Sequence, residues 1–131
     1  MKKWTWLACF ILLIASSENP DKATLYLYRQ KEFLGTAYEI KVNGKFVASL
    51  ASKSYLEIKI SPGNTNIEAS TYRGSKRNLS IALQANQIYH IRAYEEVDFL
   101  DRFLVMQVVD AAVAKQEMIK CRKNEKIKQP D

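Results

Sequence analysis

This chain of 131 residues has one histidine and two cysteines, and that scarcity excludes much chemistry. His90 has no second histidine or local cysteine cluster beside it, so a zinc-type centre would lack its ligands. It stands in Ile88-Tyr89-His90-Ile91-Arg92 and reads as a partly exposed strand residue. No Gly-x-Ser-x-Gly stretch marks a nucleophile elbow, so the scattered serines form no hydrolase signature. A long apolar run is also missing. Trp4 to Ala15 is uncharged but spans only about twelve residues, short of the roughly 20 that cross a bilayer. Charge is not concentrated either. The net charge of +6 is spread along the chain, apart from Arg73, Lys76 and Arg77 in a turn and a basic C-terminus. A nucleic-acid binder shows a basic face and a recognition motif, and neither is present. These absences predict no catalytic residues, no metal, no cofactor and no nucleic-acid partner.

The first seventeen residues are the most informative part of what is there. Lys2 and Lys3 precede the apolar run, Ala15-Ser16-Ser17 is small, and Glu18-Asn19-Pro20-Asp21 turns abruptly polar. That layout is a secretory signal peptide, with cleavage expected after Ser17. The alternative is a lipid anchor on Cys9, since Leu7-Ala8 places a small residue before it. Trp6 occupies the position where such a signal wants Leu, and the apolar run continues through Phe10 to Ile14. The primary expectation is therefore an exported chain of about 114 residues, carrying a charge of about +4 once Lys2 and Lys3 are gone. Its one remaining thiol, Cys121, cannot form an internal disulfide. Burial of Cys121 and a homodimer bridged through it both stay open.

The mature chain reads as short strands punctuated by turns. Ala23–Arg29 alternates, with Leu25 and Leu27 on one face and Tyr26 and Tyr28 on the other. Thr36–Val42 and Phe46–Leu50 flank Asn43-Gly44, a strong hairpin signal because both central residues need positive φ. Tyr55–Ile60 offers Leu56, Ile58 and Ile60 as a buried face, and Ser61-Pro62-Gly63-Asn64 is a turn. Thr65–Tyr72, Asn78–Leu83 and Ile88–Tyr94 follow, and the nearly continuous apolar run Phe103–Val109 predicts a central strand. Seven or eight strands at this spacing predict an antiparallel β-sandwich. Asp110 reads as the N-cap of a C-terminal α-helix from Ala111 to about Lys126. Its stripe of Ala111, Ala114, Met118 and Cys121 should pack on the sandwich. A basic helix lying on a membrane surface is the competing reading, without the aromatic anchors such helices carry. Lys128 to Asp131 is expected to fray. The domain plan is thus a signal over 1–17, a linker over 18–22, a sandwich over 23–110, and a packed helix and tail over 111–131.

Two features offer candidate sites. Glu95, Glu96, Asp98 and Asp101 would form an acidic hairpin loop, and four carboxylates in a loop suit Ca²⁺. The spacing is not that of an EF-hand, so a solvated loop is the primary reading. Seven tyrosines suit half-buried strand surfaces, and exposed ones can stack on sugars. Tyr26, Tyr28 and Arg29 are the residues expected to form an interaction surface on an open sheet face or edge.

Thr24-Leu25-Tyr26-Leu27-Tyr28-Arg29, Val42-Asn43-Gly44-Lys45, Tyr55, Pro62-Gly63 and Ile88-Tyr89, in that order, carry a resemblance. Over Ala23 to Glu117 the chain resembles the bacterial domain-of-unknown-function family numbered 2846. It departs from that pattern at Gln30, where a proline often follows the arginine. The resemblance implies a small β-sandwich in the style of prealbumin-like and PEGA-type surface domains, on exported or lipid-anchored bacterial proteins. It implies no catalytic residues. The expected function is a non-enzymatic interaction or structural module of the periplasm or cell envelope. Its partner would be an envelope protein or a glycan. The alternatives are a lipoprotein anchored through Cys9, and a carbohydrate- or Ca²⁺-binding domain.

Overall fold

The first strand, β1 (Ala23–Arg29), is buried along almost its whole length. Alternation sends Leu25 and Leu27 into the core and turns Tyr26 and Tyr28 to the opposite face. The computed structural model describes residues 21–33, 35–72 and 74–130. The signal segment, its cleavage after Ser17, most of the 18–22 linker, Cys9 and Arg73 lie outside the described residues.

Beyond β1 come β2 (Tyr38–Val42), β3 (Lys45–Leu50), β4 (Ser54–Ile60), β5 (Gly63–Ser70) and β6 (Arg77–Leu83). The chain ends with β7 (Ile88–Asp98), β8 (Asp101–Val109), helix α1 (Ala111–Met118) and the two-residue β9 (Arg122–Lys123). Two sheets form. The first has the order β8-β7-β1-β4-β9 and the second β3-β2-β5-β6. The protein is thus a mainly β sandwich with one C-terminal helix. Its core lies between the inner faces, where Leu25, Leu27, Leu56, Ile58 and Ile91 meet Tyr38, Ile40, Val42, Ile67 and Leu83.

Local chemistry explains the turns. Asn43 and Gly44 take φ of 51° and 83°, as a two-residue hairpin with matched twist requires. In the β2–β3 pair the register slips by one residue, from Ile40↔Ala48 to Lys41↔Phe46. This bulge lets two successive residues, Val47 and Ala48, both face inward.

Four expectations change. The sandwich is not wholly antiparallel, because β1 runs parallel to β7 and β4 parallel to β9. The chain crosses to the second sheet between β4 and β7, which permits a parallel return. The run Phe103–Val109 is not central: β8 is an edge strand of the first sheet. Its start is covered by Ser75, whose N–H donates to the Arg102 carbonyl at 3.1 Å, so continuous apolarity did not require a neighbour on both sides. The helix stops at Met118 rather than near Lys126, because the following backbone pairs with β4. The described part of the tail expected to fray, from Lys128, is docked, as are the residues just before it. Asn124 N–H donates to the Tyr55 carbonyl at 3.0 Å and Lys128 N–H to the Val47 carbonyl at 2.8 Å. Gln129 Oε1 accepts from Lys59 N–H at 2.8 Å, and Ile127 packs against the core. The tail laces β4 to β3 and covers two strand edges that would otherwise be open.

Candidate functional site

Outward parity on three adjacent strands builds one surface. Tyr26 on β1 lies across from Glu57 on β4 and from His90 on β7. Its ring stacks on His90 with centroids 5.3 Å apart and planes 17° apart. Its hydroxyl donates to Glu57 Oε1 at 2.8 Å, and Tyr55 stands 6.3 Å away at a tilt. Ile88 completes an apolar floor with Tyr26, Tyr55 and His90. Helix α1 crosses the same face. Ala111, Lys115 and Met118, spaced for one helix side, form the wall together with Ile119. Floor and wall enclose a cleft of about 470 Å³, within the roughly 300–1,000 Å³ of small-molecule sites.

The helix is held over this face by a polar clamp. Tyr28 donates to Glu117 Oε1, and Arg92 Nη1 reaches Glu117 Oε2 at 2.9 Å. Asp110 caps the other end by accepting from Ala112 N–H. Burial first, and then the hydrogen bond to Glu117, push the Tyr28 hydroxyl well above its usual titration range. His90 shifts the other way. Its ring is almost buried, and burial followed by the nearby Lys115 ammonium lowers its pKa, against an opposing pull from Asp110. The floor of the cleft therefore carries a neutral imidazole at neutral pH.

A second cleft of about 670 Å³ lies beside the C-terminal end of α1. Lys31, Lys53 and Lys120 line it with Gln30 and Gln116, and Ile119 is common to both clefts. Cys121 sits at its edge, with Sγ directed to the Arg29 carbonyl at 3.2 Å. Burial raises that thiol's pKa, with the Glu117 carboxylate adding to the effect.

The three expected surface residues separate. Only Tyr26 remains partly exposed and enters the cleft. Tyr28 is fully covered by α1, and Arg29 falls by parity inside the sandwich. Arg29 Nη1 donates to the Thr36 and Leu50 carbonyls, Nη2 pairs with Glu32 at 3.1 Å, and the guanidinium lies 5.5 Å from the Tyr38 ring centroid. Neither Tyr28 nor Arg29 is available to a partner. The acidic group disperses too. Glu95 turns inward to accept from the Tyr38 hydroxyl at 2.7 Å, while Glu96 faces out on the same strand. Asp101 is held by Ser75, and Asp98 caps the Phe99 N–H. Among the described residues no group of three or more histidine, cysteine or acidic side chains is placed to hold a metal ion. No described helix is long and apolar enough to cross a membrane.

One family model, Protein of unknown function (DUF2846), matches residues 19–102. The chain belongs to the DUF2846 family. No curated protein matches it. The DUF2846 match takes in the cleft floor but ends at Arg102, inside β8. The whole α1 wall, and Lys120 and Cys121 of the second cleft, lie beyond it.

Sequence reasoning missed Tyr55, Ile88, Lys115, Met118 and Ile119 as partners of Tyr26. Parity placed each strand residue outward, but only the β7-β1-β4 order makes them neighbours.

Proposed function

We propose that this protein is an exported envelope module that works by binding rather than by catalysis, and that the cleft between α1 and the first sheet is its binding site. The observation that carries this reading is the apolar floor of Tyr26, Tyr55, Ile88 and His90 beside a helix that leaves it open. Aromatic side chains supply large contact area at a rim where one end stays wet. The absence of a nucleophile motif and the engagement of Glu95, Asp101 and Glu117 in structural hydrogen bonds support a non-enzymatic role. Export rests on the charged, apolar and small-residue layout of residues 2–17.

Two measurements test this. Intact mass of the protein recovered from the cell envelope is expected to begin at Glu18 without lipid. A diacyl or triacyl mass on Cys9 moves the module to a lipid anchor, and an uncleaved chain sinks the export reading. Backbone amide spectra of the mature protein, titrated with single-chain amphiphiles and short glycans, are expected to shift at Tyr26, His90 and Met118. Shifts confined to other surfaces, or none with any compound, overturn the cleft as the site.

A further inference from the structure

We infer that the cleft takes a monomeric amphipathic anion: a single apolar chain or ring on the Tyr26–His90 floor, joined to a phosphate or carboxylate held by Lys31, Lys53 and Lys120. This rests on the binding role proposed above and names its ligand class. The apolar cleft of about 470 Å³ and the basic cleft of about 670 Å³ share Ile119, which is 73% exposed on the ridge between them. One molecule crossing that ridge touches both.

Apart from the paired Glu117, the charge around the ridge is positive. Lys115 lines the apolar side, and three lysines line the other. The acidic residue of the second cleft, Glu117, is already paired with Arg92 at 2.9 Å. The carbonyl end of α1 contributes only about half a negative charge at this rim, against three full positive charges. Gln30 and Gln116 add amide donors beside the lysines. A neutral imidazole on the floor favours an apolar group there, since it brings no second charge to be desolvated. An anionic head with an apolar body therefore matches both compartments, whereas a neutral sugar or a bare anion matches one.

The test compares octyl phosphate, octyl glucoside and inorganic phosphate on the mature protein by calorimetry, with amide shifts to locate each. Octyl phosphate is expected to bind about tenfold more tightly than either of the others. Lys53→Gln with Lys120→Gln, both exposed, is expected to weaken octyl phosphate about tenfold and leave octyl glucoside unchanged. Equal binding of octyl phosphate and octyl glucoside at the cleft overturns the anion assignment while the binding role stands. Equal binding of octyl phosphate and inorganic phosphate overturns it as well, since the apolar body then does nothing. If no compound shifts Tyr26 or His90, the binding role falls with it.

Discussion

Tyr28 and Glu117 lie 89 positions apart in sequence and meet through one hydrogen bond that fastens α1 to the sheet. Arg92 closes the same carboxylate from β7. The helix has only eight residues and buries one side chain fully, Ala114, so its apolar stripe holds it weakly. The clamp should decide whether α1 stays docked and the cleft keeps its wall. Tyr28→Phe is expected to cost about 1–2 kcal/mol, because it leaves a charge-assisted hydrogen bond unmade. Combined with Glu117→Gln, the two losses should be strongly non-additive in urea denaturation. Simple additivity would show that the contact does not hold the helix.

Arg29 should prove structural and not recognitional. It is fully buried, closing one end of the sandwich through two carbonyls and Glu32. Arg29→Ala leaves these acceptors unpaired, and breaking such a buried pair costs about 3–5 kcal/mol. Arg29→Lys should recover little, because an ammonium cannot reproduce the planar fork. Thermal melts of both variants check this. A melting temperature unchanged from wild type would show that these buried contacts do not stabilise the fold.

His90 predicts a pH dependence of stability. Its folded pKa lies below the ordinary 6.5, first through burial and then through Lys115. Just below 6.5 the unfolded chain binds the proton more readily than the folded one, so stability rises with pH there. The contribution is complete above 6.5 and is lost as pH falls through the folded value. His90→Phe keeps a ring against Tyr26 and should flatten the stability curve just below pH 6.5. A slope that survives the substitution must come from another group.

The tail beyond Cys121 should matter to stability, although its sequence reads as a helix end followed by a frayed stretch from Lys128. Ending the chain after Lys123 removes the bonds of Asn124 and Lys128 and the packing of Ile127. A loss of about 2–4 kcal/mol is expected from a few hydrogen bonds and one half-buried side chain. The uncovered β3 and β4 edges should also promote association, visible by light scattering. A truncated chain as stable and monodisperse as the full one would mean that the tail contacts are incidental.

Alternation, turn chemistry and capping by themselves determined most of the elements. β1 was legible to the residue, and Asn43-Gly44, Pro62-Gly63 and Asp110 mark a hairpin, a turn and a helix start, because these signals act between near neighbours. The same parity placed Leu25 and Leu27 inside and Tyr26 outside. Only the tertiary structure decided the rest. It set β7 parallel beside β1, so that His90 came to lie on Tyr26. It laid α1 over Tyr28, and it turned a polar tail into a strap across two strands. Those outcomes depend on contacts between residues many tens of positions apart. Their energies arise from burial and hydrogen bonds that exist only once the sheets have formed, and no local pattern in Tyr28, His90 or Lys128 carries them.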